Sequence, residues 1–341
     1  MIRAVLSGMG QALPPIALTS EALEARLAPL YERLNLPQGR LELMTGIKER
    51  RLWERGARPS DLAFQAAEDL FQNSAIKKEE IDLIIHASVC RDFLEPATAS
   101  VVHAKLGLSD SCELFDLSNA CLGVLSSTKL AQNLIASGKY RHILIVSGEN
   151  AGPLVEATIE RLLTDMTITR KSMKLIFANL TIGSAAVAWT ISREDLAPTS
   201  PLIETCTTLT DSSANTLCQG GGNTHELVME TDSEALLVKG IALAKKTWEC
   251  HREKQSTLPD WVLGHQVGSA HEKLVLEACG LEKTKTFITY PWLGNTGSAA
   301  LPITLNELVK KKELKNQDQL ALLGIGSGLV CTIISLRWRT P

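Results

Sequence analysis

Short runs of large apolar residues, separated by helical patterns, do most to restrict what this chain can become. IDLIIHASV (81–89), RHILIVSGE (141–149), AAVAWTISR (185–193), DWVLGHQV (260–267) and VCTIISLRW (330–338) place apolar residues at consecutive positions. A strand apolar at alternate positions buries one face, whereas a strand apolar throughout buries both. Helical stretches lie between them: Ser60 to Asn73, ATASVVHAKLG (97–107) ended by Gly107, and SAHEKLVLEACG (269–280) ended by Gly280. The alternation predicts an α/β fold with helices layered over buried sheets.

The theme occurs twice. CELFDLS (112–118), TKTFITY (284–290) and QLALLGIGSGL (319–329) read as further strands. LVEATIERLLTDM (154–166), SEALLVKGIALAKKTWECHREKQ (233–255) and SAALPITLNELVKKKEL (298–314) read as further helices. EEIDLIIHASV resembles LPDWVLGHQV, and ILIVSGE resembles ALLGIGSGL, which suggests a duplication. The halves are expected at 1–195 and 196–341, joined through LAPTSP (196–201). The polar stretch TDSSANTLCQGGGNTH, ending at His225, reads as a surface loop.

Composition removes several classes of function. With 35 basic and 38 acidic residues in 341, no broad basic bias invites nucleic acid. No apolar run approaches the roughly 18 residues of a membrane span. MIRAVLSGMGQALPPIAL lacks secretion-signal features and reads as a first strand and turn. None of the eight cysteines forms C-x-x-C or a metal-spaced cluster, so reduced thiols in a cytoplasm and no bound metal are expected.

One cysteine is placed differently from the rest. In DLSNACLGVLSSTKLAQNLIASG, Cys121 stands where a strand gives way to a helix. Leu122, Val124, Leu125, Leu130, Ala131, Leu134 and Ile135 recur near helical spacing, and Gly138 sits at the expected cap. Cys121 either packs as a small hydrophobe or serves as a nucleophile at a helix N-terminus, where the dipole favours the thiolate. His86 lies inside a buried strand and reads as core. His103, His142, His225, His251 and His271 have no supporting pattern. His265 closes the strand of WVLGHQVGSAHEK just before a helix, where α/β sites assemble. Asn295, in WLGNTGSAALP, sits between Gly294 and Gly297 before another helix; it reads as a helix cap or a site residue. The order Cys…His…Asn also occurs in papain-like proteases, but there the cysteine lies near the mature N-terminus in a different local sequence.

TGIKERR (45–51), DLSNACLG (116–123), GHQVG (264–268), GNTGSAALP (294–302) and GIGSGLV (324–330) together resemble the thiolase superfamily, specifically the 3-oxoacyl-ACP synthase III branch. The resemblance spans nearly the whole chain. It implies paired halves in a five-layer αβαβα sandwich and a homodimer. It implies that Cys121 is the acylated nucleophile, and that His265 and Asn295 serve the second substrate. The backbone N–H groups of Cys121 and Ser327 become the oxyanion hole, and Gly324, Gly326 and Gly328 permit close approach to the acyl group.

One departure separates subtypes. Chain-initiating synthases read H-Q-A-N where this chain reads HQVG, and they carry an apolar or aromatic residue where Glu95 stands in RDFLEPATAS. The LEP pattern, SVCRDFLEPATAS and LMTGIKERRLW resemble the OleA-type enzymes of long-chain olefin biosynthesis. In them this glutamate reaches into the neighbouring subunit's site. The implied reaction joins two fatty acyl-CoA molecules head to head, without decarboxylation, to a 2-alkyl-3-oxoacyl-CoA. Glu95 would remove the α-proton; its other reading is a surface charge beside a turn proline. Two alternatives stand: decarboxylative condensation of acyl-CoA with malonyl-ACP, and a non-catalytic acyl-binding subunit. No cofactor is implied beyond the CoA of the substrate. Lys239, Lys245, Lys246, Arg252 and Lys254 read as a contact for CoA phosphates or acyl carrier protein, or as a solvated helix face. The block 151–180 reads as a pocket wall or cover, or as a dimer-facing helix.

Overall fold

Neighbouring residues of each buried strand feed different cores. In β6 (His142–Glu149), Ile143 and Ile145 enter one apolar cluster while Leu144 and Val146 enter another. A strand loaded in this way needs a layer of structure on each side. A computed structural model describes residues 2–221, 228–255 and 257–340; His225 lies outside them.

The first half contributes β1 (Ala4–Ala12), β2 (Ile16–Thr19), β3 (Glu49–Leu52), β4 (Leu83–His86), β5 (Glu113–Asp116), β6 and β7 (Ala185–Arg193). The second contributes β8 (Leu202–Thr210), β9 (Cys218–Gly221), β10 (Val228–Thr231), β11 (Trp261–Gly264), β12 (Lys285–Thr286), β13 (Gln319–Gly326) and β14 (Val330–Arg337). The main sheet runs β12-β11-β13-β14-β8-β1-β7-β6-β4-β5. Its two sides repeat: β5-β4-β6-β7-β1 has the order and strand senses of β12-β11-β13-β14-β8. The two fives meet at a single pairing, Val5 with Leu202.

Helices fill the layers. The described residues hold α1 (Ser20–Arg26), α2 (Ala28–Arg33), α3 (Arg40–Thr45), α4 (Pro59–Asn73), α5 (Thr98–Leu106), α6 (Gly123–Ala136), α7 (Gly152–Thr164), α8 (Arg170–Ile176), α9 (Ser233–Arg252), α10 (Ser269–Cys279), α11 (Tyr290–Leu293) and α12 (Ala300–Lys310). α4 and α5 cover the outer face of the first five strands. α9 and α10 cover that of the second. Between the two five-strand sides lie α6 and α12, whose apolar faces both enter the main core. Trp189 of β7 donates to Asn306 Oδ1 at 3.0 Å, and Asn306 Nδ2 donates to Gly10 O at 3.1 Å, which locks α12 in place. The product is a five-layer αβαβα sandwich.

Several expectations change. The Thr-rich segment after LAPTSP, which no apolar run marks, is the nine-residue strand β8. The polar stretch that follows is no simple loop, because Cys218–Gly221 pairs antiparallel with Val228–Thr231. TKTFITY yields only the two residues of β12 before turning into α11. Block 151–180 forms a cap with α1–α3, sharing an apolar cluster that includes Leu23, Leu27, Val155, Ile159 and Met173.

Candidate active site

Three parallel strands end together in each half, and the residues of interest lie at those ends. The segment after β4 carries Glu95, the turn after β5 carries Cys121, and β6 ends at Glu149. In the second half β11 is followed by His265, β12 by the segment reaching Asn295, and β13 by the turn at Ser327. The turn Ala120–Leu122 packs against both β13 and the turn Gly297–Ala299. The fold thus brings Cys121, the Asn295 segment and the glycine turn together.

Cys121 occupies a strained corner. Ala120 before it has φ +45°, a left-handed conformation that costs a residue with a Cβ roughly 1–2 kcal/mol. Such strain persists where surrounding packing over-determines it. Leu122 N donates to Asn119 O at 2.9 Å, and Asn119 Nδ2 to Ser126 Oγ at 2.8 Å, so both ends of the turn are held. The turn is a single 3₁₀ turn that leads directly into α6. The thiol, however, is not acidified. Burial pushes it up to about 12, with Glu149 and then Cys218 adding in the same direction; only its own backbone N–H opposes. Desolvation outweighs the helix terminus.

Gly324 and Gly326 serve this turn as well. A Cβ at Gly324 would come within 2.5 Å of Leu122 Cδ2 and 2.9 Å of Leu125 Cδ2, and one at Gly326 within 3.0 Å of Leu122 Cγ. The space they leave seats the Cys121 turn rather than an acyl chain. Gly328 alone of the three stands clear, its nearest neighbour Val330 Cγ2 at 3.8 Å.

His265 is 5% exposed, and its backbone N–H donates to Leu323 O at 3.0 Å. Burial, then His271, pushes its imidazole down to about 3. At neutral pH the ring is therefore uncharged and can donate one N–H. Gln266, not singled out in the sequence, braces this corner. Its Nε2 donates to Gly264 O at 2.7 Å while its Oε1 accepts from Thr289 N at 2.7 Å and Tyr290 N at 3.1 Å. That bridge ties His265 to the segment leading to Asn295. Asn295 N donates to Thr181 O at 3.0 Å, and Asn295 O accepts from Gly183 N at 2.9 Å. Its Oδ1 accepts from Gly297 N at 3.1 Å, while Nδ2 has no partner among the described residues. Gly294 is required here, because its φ is +71° and a Cβ would lie 2.7 Å from Thr181 O.

The carboxylate acting on Cys121 within one chain is Glu149 rather than Glu95. Within one chain Glu95 is exposed and makes no hydrogen bond or ion pair among the described residues. It lies in a segment with Val89 at 53%, Phe93 at 46% and Leu94 at 89% exposure. The acid acting on Cys121 is the buried Glu149, which sequence reading passed over. The signal was present: an acid closing a strand as apolar as RHILIVSGE must find partners inside. The other described histidines serve packing or local hydrogen bonds. His86 meets Ser88 Oγ at 3.0 Å, and His251 meets Thr207 and Ser335. Of the basic residues along α9, Lys239 lies 4.0 Å from Asp211, and Arg252 stacks over Trp248.

Comparison with known proteins agrees with this geometry. Residues 115–195 match the family 3-oxoacyl-(acyl-carrier-protein) synthase III, and residues 255–338 match its C-terminal family. An acyl-CoA:acyl-CoA alkyltransferase of Shewanella oneidensis is 38% identical over 98% of this chain and 99% of its own length. Another, of Xanthomonas campestris pv. campestris, is 36% identical over 98% of each. Crystal structures of Xanthomonas campestris OleA superpose with a TM-score of 0.94 at 35% identity. One, covering 98% of this chain and 99% of that one, is a cysteine-to-serine variant with lauric acid and lauroyl-CoA. Others carry cerulenin or substitutions at one glutamate or one histidine. The chain therefore belongs to the thiolase superfamily, in its OleA-type branch of acyl-CoA:acyl-CoA alkyltransferases.

Proposed function

We propose that the protein condenses two fatty acyl-CoA molecules head to head, without decarboxylation, into a 2-alkyl-3-oxoacyl-CoA. The observation that carries the reading is the full-length likeness to enzymes of that name. The Cys121 sulfur attacks the first thioester. Its proton leaves with the CoA sulfur, and the acyl group stays on Cys121. The N–H groups of Cys121 and Ser327 hold the tetrahedral oxyanion. The second acyl-CoA loses an α-proton to Glu95 of the partner subunit. The enolate oxygen is held by the neutral His265 ring and Asn295 Nδ2. The resulting carbanion attacks the acyl-cysteine, the C–S bond breaks, and the Cys121 sulfur takes up the proton that Glu95 removed, restoring both groups. No metal or further cofactor enters these steps.

The homodimer supplies the base. Glu95 is exposed beside Phe93 and Leu94, and the nearby edge strand β5 presents Leu114 at 36% exposure. The glutamate and cysteine substituted in the OleA structures stand 26 positions apart, as Glu95 and Cys121 do here (121 − 95 = 26). Glu149 is no substitute, since three backbone N–H groups occupy its oxygens. The repeated strand order supports halves at 1–195 and 196–341. An olefin-forming route, a cytoplasmic setting and CoA rather than carrier-protein substrates complete the reading. Purified protein given acyl-CoA alone should form a condensed product whose mass equals two acyl chains on one CoA. Product only when malonyl-ACP is added would establish the decarboxylative alternative instead.

A further inference from the structure

Glu149 is 4% exposed and pairs with no cation among the described residues. A buried charge is costly unless hydrogen bonds replace its water. Oε1 accepts from Val89 N at 2.9 Å and Ser298 N at 3.1 Å, and lies 2.7 Å from Ser298 Oγ; Oε2 accepts from Cys90 N at 3.2 Å. Val89 and Cys90 open the segment that carries Glu95. Ser298 belongs to the turn that follows Asn295. Ser298 Oγ also lies 2.6 Å from Ala87 O and 2.7 Å from Ser147 Oγ, so the grip extends to the ends of β4 and β6. Gly297, with φ +59°, passes over the carboxylate; a Cβ there would lie 3.1 Å from Glu149 Cδ.

We propose that Glu149 is a positioning residue of the condensing site, holding the Glu95 segment and the Asn295 turn on one carboxylate beside Cys121. The inference rests on the function proposed above. It joins segments from both halves that act in the same step: the base-bearing segment and a donor to the enolate. The same charge disfavours a thiolate at Cys121. Burial first, and this charge second, keep the free thiol protonated, and Cys121 gives up its proton only as CoA takes one.

Two substitutions separate charge from geometry. Glu149→Gln removes the charge and turns an amide N–H₂ toward a backbone donor. Iodoacetamide labelling of Cys121 at pH 7.5, read on its peptide by mass spectrometry, should quicken, because the carboxylate that disfavours the thiolate is gone. Glu149→Asp keeps the charge but withdraws it by one methylene. Labelling should keep its wild-type pH profile and acyl loading should stay within a few-fold, while condensation falls about 10²-fold, as a misplacement near 1 Å can cause. Ser298→Ala, a small change that keeps the carboxylate, should lower condensation relative to loading with labelling unchanged. It carries the test if the Glu149 variants fail to fold. An unchanged labelling profile in Glu149→Gln with a wild-type loading-to-condensation ratio in Ser298→Ala overturns the proposal. So does parallel loss of loading and condensation in every variant that folds. Labelling and loading are read on Cys121 itself, so they test Glu149 even if acyl-CoA alone gives no product. Condensation with malonyl-ACP would then supply the ratio.

Discussion

The two halves share one strand order and put different chemistry on it. In the first half, the ends of β4, β5 and β6 lead to Glu95, Cys121 and Glu149, to which the proposed mechanism gives proton removal, covalent attack and positioning. At the matching ends of β11, β12 and β13, the second half carries His265, Asn295 and the Ser327 N–H. These are donors that stay neutral, His265 because burial holds it near 3. The duplicated scaffold thereby separates two demands. A nucleophile and a base must gain and lose protons, whereas groups that hold an oxyanion or enolate must donate without titrating. Burial acts on both corners: it keeps His265 neutral and raises the Cys121 thiol.

Removing Cys121 tests the division most severely. Cys121→Ala should abolish the acyl adduct seen by intact-protein mass after acyl-CoA exposure. A full adduct on the alanine variant would move the nucleophile elsewhere. Glu95→Gln comes next, with condensation falling about 10²–10⁴-fold while Cys121 still loads. Mixing Cys121→Ala and Glu95→Gln chains should restore one working site per heterodimer, joining wild-type Cys121 of one chain to wild-type Glu95 of the other. Failure of the mixture, with each parent dimeric, would return Glu95 to its own chain. Smaller effects belong to the second half. His265→Ala and Asn295→Ala should load acyl groups yet lose condensation about 10²–10³-fold, the range for a lost oxyanion donor. Loss of loading with intact condensation on a preloaded enzyme would reverse the roles of the halves.

The sequence showed these corners unevenly, for physical reasons. Strands buried on both faces announce themselves as unbroken apolar runs, so β4, β6, β7, β11 and β14 were legible. β8 was not, because Glu204 and four threonines interrupt its apolar residues, so no unbroken apolar run marks it. Cys121 and His265 stood out because each follows a strand and precedes a helix in a recognisable motif, whereas Asn295, expected at such a corner, lies between α11 and the turn Gly297–Ala299. Glu149 and Gln266 were not, since their roles depend on backbone donors distant in sequence: Val89 and Ser298 for one, Thr289 and Tyr290 for the other. The Gly324–Gly326 pair was read as room for substrate. Only the packing of α6 against β13 shows that Leu122 and Leu125 already fill it.

The subtlest expectation concerns acid. The second half buries three histidines with depressed values: His265 near 3, and His251 and His271 near 4. In the unfolded chain each titrates near 6.5. Between those values the unfolded chain binds more protons, so stability rises with pH across the window and is lost as pH falls from about 6.5 toward 4 and 3. Each such proton changes stability by up to about 1.4 kcal/mol per pH unit. His251 isolates the effect because it lies away from the reacting corner, between Thr207 Oγ1 at 3.0 Å and Ser335 Oγ at 2.7 Å. Glutamine can keep a donor and an acceptor there but cannot titrate. His251→Gln should cost little at pH 7.5 and flatten the fall of the thermal midpoint between pH 6.5 and 4. A wild-type slope in the variant would show that His251 contributes nothing to acid sensitivity and would leave His265 and His271, beside the reacting corner, as its source.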